Sequence, residues 1–216
     1  MRVIAGEAKG RRLVVPEGGA TRAATDRIRE ALFGILEPQL PDALILDLFA
    51  GAGTLGIEAL SRGAARATFV EKAPGAIAAL RKNLETTGFT HRSTVIRADA
   101  LAFLAGPVRA DIAFCDPPFA DVAAHGAALA KLAAPGRLVV ARALRKHLPV
   151  IPPTLRVARR KEIGEETLLL LQYSGEASRE GNDGHPVPRR ATGSARRQRA
   201  QAAHDQPGHP RAGRHP

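Results

Sequence analysis

The chain has 216 residues, 44% of them hydrophobic, and one cysteine, Cys115. That is enough for one ordinary domain with a sizeable core, and too little sulfur for a disulfide framework or a cysteine-built zinc site. Lys and Arg number 32 against 21 Asp and Glu, a net charge of +11, which is the electrostatic footprint of a polyanion binder and makes nucleic acid the leading partner.

No apolar run approaches the ~18 residues of a membrane span, and the Met1 to Gly6 stretch is too short for a signal peptide. A cytoplasmic protein with no membrane partner is expected. In chain order, Arg2-Val-Ile-Ala-Gly6 and Arg11-Arg-Leu-Val-Val-Pro16 flank glycine turns and read as a small basic hairpin. Thr25 is placed to cap a helix with Ile28, Ala31, Leu32 and Ile35 at helical spacing, Asp26 in its first turn and Pro38 at its end. Arg27 and Arg29 are expected on its exposed face.

From Ala43 short apolar runs alternate with helical segments. The predicted strands are 43–49, 67–71, 94–97, 112–115 and 137–141, and the predicted helices 55–62, 76–84 and 123–132. Segments 155–160 and 167–173, around Gly164, read as a closing antiparallel hairpin. The fold class is therefore α/β: a doubly wound, mostly parallel, Rossmann-like sheet with a C-terminal antiparallel hairpin and an N-terminal basic hairpin-helix extension. Residues 1–40 form the extension, 41–173 the main domain and 174–216 a tail. That tail has eight arginines, four acids and four of the seven histidines but no periodic apolar residues. It is expected to be disordered, with no metal site.

Ligands of such sheets bind outside the carboxyl ends of the strands, and here those ends are mostly acidic. Asp47 precedes a glycine turn, Gly51-Ala-Gly53-Thr-Leu-Gly56, that opens onto a helix N-terminus. Glu71 ends the second strand, where a carboxylate can accept both hydroxyls of a ribose. Asp99 and Asp116 follow the next two. The glycines fit a nicotinamide fingerprint, but a pyrophosphate would be repelled by so many carboxylates, whereas S-adenosylmethionine, with a sulfonium, an α-amine and no phosphate, would not.

Asp116-Pro-Pro-Phe119 is the most specific signal. Two prolines hold the backbone extended. A planar exocyclic amine can then donate to the Asp116 carboxylate and the Pro117 carbonyl while its ring stacks on Phe119. Cys115 reads as a core thiol rather than a nucleophile, and His125 as a surface helix residue rather than a base.

The order Asp-x-Phe-Ala-Gly-x-Gly, Glu71, Asp99, Asp-Pro-Pro-Phe resembles the amino-methylating class I S-adenosylmethionine methyltransferases. More narrowly, Arg2-Val-Ile-Ala-Gly6, Lys9-Gly-Arg-Arg-Leu13, Thr25-Asp-Arg-Ile-Arg-Glu-Ala-Leu-Phe33 and Asp47-Leu-Phe-Ala-Gly-Ala-Gly-Thr-Leu-Gly-Ile-Glu-Ala-Leu60 resemble the bacterial 16S ribosomal RNA guanine-N2 methyltransferases. The resemblance covers residues 1 to 173. It departs from the family at Arg22-Ala-Ala-Thr25, where Arg-Pro-Thr is common, and at Phe119, where Tyr is.

The resemblance implies that Asp47, Gly51 and Gly53 line the methionine end of S-adenosylmethionine, that Glu71 holds the ribose and that Asp99 holds the adenine amine. Asp116, Pro117 and Phe119 would hold the target guanine. Lys9, Arg11, Arg12, Arg22, Arg27 and Arg29 become candidates for phosphate contacts, a solvated basic face being the competing explanation. The implied partner is ribosomal RNA or the small ribosomal particle, met by a monomer. Alternatives are an adenine-directed DNA or other amine methyltransferase, a nicotinamide oxidoreductase, and a non-catalytic RNA-binding assembly factor.

Overall fold

The computed structural model describes residues 1–16, 24–118 and 121–175. Arg22, Phe119 and all but the first two residues of the predicted tail lie outside the described residues. The expected hairpin is present in minimal form. Arg2 and Arg12 make one antiparallel bridge, and the Val3 and Gly10 amides donate to Arg11 O and Val3 O, each at 2.9 Å. Helix α1 (Asp26–Leu36) follows, its Ile28 amide donating to the Thr25 hydroxyl.

A seven-stranded sheet then forms in the order β3-β2-β1-β4-β5-β7-β6, from β1 (Leu44–Asp47), β2 (Arg66–Glu71), β3 (Ser93–Arg97), β4 (Ile112–Cys115), β5 (Leu138–Leu144), β6 (Leu155–Ile163) and β7 (Glu166–Tyr173). The first five strands pair in parallel and the last two antiparallel. The central runs are almost wholly apolar because both faces are buried. Ile45, Phe114 and Val140 enter one apolar cluster, while their neighbours Leu46, Ala113 and Val139 enter another.

Helices α2 (Thr54–Ser61), α3 (Pro74–Thr87), α4 (Ala100–Phe103) and α5 (Val122–Leu132) complete the layers. The four-residue α4 is too short to show a periodicity. Strand order reverses between β1 and β4, so the ligand crevice opens at their carboxyl ends. Among the described residues no helix is long and apolar enough to cross a membrane.

The N-terminal segment is locked onto α2, and this corrects one expectation. Arg29 is fully buried, not displayed on the exposed face of α1, so it cannot meet a phosphate. Its guanidinium reaches Glu58 Oε2 at 3.3 Å, the Arg2 carbonyl at 2.7 Å and Asp26 Oδ1 at 2.8 Å. Glu58, also fully buried, accepts from the Ile4 and Ala5 amides at 2.8 and 3.1 Å and from Arg62 Nε at 2.8 Å. Gly6 has φ +81°, and a Cβ there would lie 1.8 Å from the Ser61 carbonyl oxygen. Only glycine allows the hairpin this close to α2.

Candidate active site

A cavity of about 480 Å³ opens at the switch point, its wall including Asp47, Gly51, Glu71, Asp99 and Asp116. These acids come from four strand ends. Asp47 is buried, and its Oδ2 accepts the Gly56 amide at 3.0 Å. Burial pushes its pKa up to about 7; the Gly56 hydrogen bond opposes that, and the nearby Asp116 and Glu71 charges add to it.

The glycine turn is shaped by contacts as well as by backbone angles. Gly53 sits at φ +80°, where its Cβ would meet Leu80 at 2.3 Å, and a Cβ on Gly56 would meet Phe69 at 2.3 Å. Gly51 is on the cavity wall, whereas Gly53 is not. The expectation that Gly53 lines the site is therefore corrected: it forms the left-handed turn and lets the loop pack on α3.

Glu71 holds this turn in place. Its Oε2 accepts the Gly51 amide, and its Oε1 accepts those of Lys72 and Ala73, all at 2.8 Å. Asp99 caps α4, with Oδ1 accepting the Leu101 amide at 3.0 Å and Oδ2 lying 3.4 Å from Lys72 Nζ. A slight burial pushes the Asp99 carboxyl up, but the α4 amides and Lys72 outweigh it and hold it below its ordinary value.

Asp116 is buried at the end of β4. Arg142, from β5, grips both its oxygens, Nε to Oδ1 at 2.9 Å and Nη2 to Oδ2 at 2.8 Å. Arg142 Nη1 reaches Glu166 Oε2 at 3.0 Å. Burial pushes the Asp116 carboxyl above its ordinary value, Arg142 works against that, and Glu166 adds to it. The fork fixes the carboxylate plane and keeps one charge-assisted bond on each oxygen. Pro117 is not on the cavity wall, where Pro118 stands instead.

Sequence reasoning missed Arg142, Glu166 and also Asn83, whose side chain pairs with both backbone groups of Val14 and donates to the Ala52 carbonyl at 2.9 Å. Asn83 thus ties the chain after the hairpin to the glycine turn, and Val15, Pro16 and Ala24 form part of the cavity wall.

His125 is buried rather than on the surface. It lies on the stripe of α5 that holds Ala128, Leu129 and Leu132, and burial pushes its pKa down to about 4 against a hydrogen bond with the Cys115 backbone. Cys115 is buried, which raises its thiol pKa. Lys9, Arg11, Arg12 and Arg27 are exposed.

The family described as Conserved hypothetical protein 95 matches residues 1–172. The chain belongs to that family. It is similar to ribosomal RNA small subunit methyltransferase D of Escherichia coli K12, with 45% identity over 120 residues that cover 55% of this chain and 60% of that protein. The protein of that name from Haemophilus influenzae is 41% identical over 123 residues, covering 55% and 64%. These sequence matches thus span about three fifths of the relatives' length.

Among solved structures, a candidate methyltransferase from Escherichia coli superposes with a TM-score of 0.72 at 35% identity, covering 82% of this chain and 99% of that one. An RNA methyltransferase from Salinibacter ruber in complex with S-adenosyl-L-homocysteine shares the fold at 16% identity, with a TM-score of 0.59 and coverage of 75% and 100%. The family member described here thus has the class I methyltransferase fold.

Proposed function

We propose that this chain transfers a methyl group from S-adenosylmethionine to the exocyclic N2 amine of a guanine in small-subunit ribosomal RNA. The observation that carries the reading is the Asp116 carboxylate on the cavity wall, oriented by Arg142 and set beside the glycine turn. Each Asp116 oxygen spends one lone pair on Arg142 and keeps another for an amine N–H.

The cavity suits the cofactor chemically. A buried Asp47 favours a cationic ligand end, the free Glu71 lone pair suits a ribose hydroxyl, and Asp99 Oδ2 suits an adenine amine. Clustered carboxylates disfavour the pyrophosphate of a dinucleotide. Bound there, S-adenosylmethionine supplies an electrophilic methyl on its sulfonium.

The chain's own part is alignment and exclusion of water. Asp116 holds the amine from the cavity wall, and Phe119 is the candidate for stacking on the guanine ring. Lys9, Arg11, Arg12 and Arg27, with Arg22, contact phosphates. Residues 1–40 supply this RNA face, 41–173 the catalytic domain and 174–216 a basic tail. The protein works as a monomer on cytoplasmic ribosomal RNA or its particle.

Thermal shift tests the cofactor. S-adenosylmethionine or its demethylated product at 100 times its Kd is expected to stabilise the chain by about 2.7 kcal/mol, and NAD to leave it unchanged. Stabilisation by NAD alone would return the glycine turn to a dinucleotide.

The raised Asp47 pKa of about 7 adds a pH dependence. An ionised Asp47 attracts a cationic ligand better than a neutral one. Cofactor affinity is therefore expected to rise roughly fivefold to tenfold between pH 6 and 7.5, as the carboxyl ionises, and to be flat over that range for Asp47→Asn. Calorimetric titration at several pH values measures it. An equal slope in both proteins would remove Asp47 from the cofactor's cationic end.

A further inference from the structure

Edge strand β6 carries charge that neither the cavity nor the N-terminal hairpin uses. Every residue from Arg156 to Glu162 is exposed. Simple alternation would divide Arg156 from Arg159 and Lys161, because residues an odd number apart point to opposite faces. The pairing register does otherwise: Arg156 opposes Gln172, Val157 opposes Leu171, and then Arg159 rather than Ala158 opposes Leu170, with Lys161 opposite Leu168. The extra residue is a β-bulge. Its consequence is that Arg156, Arg159 and Lys161 share one face.

That face is the one on which α1 packs, since Leu168 and Leu170 belong to the same apolar cluster as Ile28, Leu32 and Phe33. It is also the face of Arg142, which opposes Leu168 from β5. Lys161, Leu168 and Arg142 form one cross-strand row, two strand spacings or about 10 Å from end to end. The basic row therefore begins in register with the side chain that holds Asp116.

Compensation is divided between the faces. On the opposite face Glu162 pairs with Arg160 at 2.7 Å and with Arg145 at 3.6 Å. On the α1 face Arg156 donates to the neutral Gln172 amide oxygen at 2.7 Å, and Arg159 and Lys161 form no ion pair among the described residues. Protection of an edge strand against aggregation explains a bulge and scattered charges. It does not explain why the three cations on the α1 face have no acidic partner among the described residues while Arg160 on the other face is paired with Glu162, or why the row aligns with the site.

We propose that Arg156, Arg159 and Lys161 form a second RNA-binding row, taking phosphates of the same RNA whose target base enters the cavity. The proposal rests on the RNA methyltransferase reading and extends the RNA face from the N-terminal hairpin and α1 to the far edge of the sheet.

The test compares the full chain with Arg156→Gln/Arg159→Gln/Lys161→Gln, using Arg160→Gln as the opposite-face control. The probe is transcribed 16S ribosomal RNA titrated from 50 to 200 mM salt. The triple variant is expected to bind at least about fivefold more weakly at 50 mM salt, with the log–log salt slope shallower by about 0.7 to 0.9 for each phosphate that is no longer neutralised. S-adenosylmethionine affinity and melting temperature are expected to be unchanged, and the control to bind like the parent.

Parent-like affinity and slope in the triple variant, beside a parent that binds RNA, would overturn this row alone. Loss confined to binding of anionic phosphatidylserine vesicles would assign the row to a membrane surface and overturn it too. A parent that does not bind the RNA at all would overturn the functional reading together with the row.

Discussion

Asp116→Asn is expected to lower the methyl-transfer rate on the order of 100-fold or more, the cost of removing one positioned group that stabilises developing charge. The reason lies in the Arg142 fork. Arg142 presents one N–H to each Asp116 oxygen, so an amide in that place sets its NH2 against a guanidinium N–H whichever way it is flipped. The pair must part. The variant then loses both the negative charge and the fixed plane against which an amine would align.

Glu166 still balances the Arg142 charge, so the chain should fold with a stability loss of about 1–3 kcal/mol, the cost of one unmet buried group. Single-turnover rates with cofactor and RNA both saturating check this at the chemical step, and calorimetry should show cofactor affinity near that of the parent. A variant turning over within about threefold of the parent would leave Asp116 without a catalytic role.

The largest stability effect is expected at Glu58. Glu58→Ala removes the acceptor of two backbone amides and two arginines and leaves Arg29 buried beside the partly exposed Asp26. Breaking a buried pair from one side costs about 3–5 kcal/mol, a large share of the 5–15 kcal/mol typical of a domain. Urea unfolding measures the loss, and hydrogen exchange of the Ile4 and Ala5 amides should accelerate first, because the hairpin is what Glu58 holds. A loss under about 1 kcal/mol would mean that Arg29 finds another partner and that the hairpin docks by its apolar contacts alone.

What could be read in the sequence follows the physics of the elements. An acid that ends a two-face-buried run is conspicuous, and Asp47, Glu71, Asp99 and Asp116 do stand around one cavity. Arg142 was hidden for the opposite reason. A charged residue after Arg137 to Ala141 looks like the end of a strand, yet β5 continues to Leu144, because the guanidinium finds two carboxylates in the interior.

Arg29 carried a signal that went unread. It lies four and seven residues before Phe33 and Leu36, on the buried stripe of α1, and its counterpart Glu58 interrupts a helix that is otherwise small or apolar and wholly buried. The β6 row had no sequence signal, since a bulge reverses the alternation from which its faces would be assigned.

On the proposed reading, the Asp116 carboxylate, oriented by Arg142, presents a guanine amine of ribosomal RNA for methylation. The most direct measurement is the identity of the nucleoside formed when the chain acts on small-subunit ribosomal RNA, naked or in the particle, with methyl-labelled S-adenosylmethionine. After nuclease digestion, label is expected in N2-methylguanosine with the parent chain and to be reduced at least about 100-fold with Asp116→Asn. Label in N6-methyladenosine or in a carbon-methylated pyrimidine, or an equal yield from the two proteins, would contradict it.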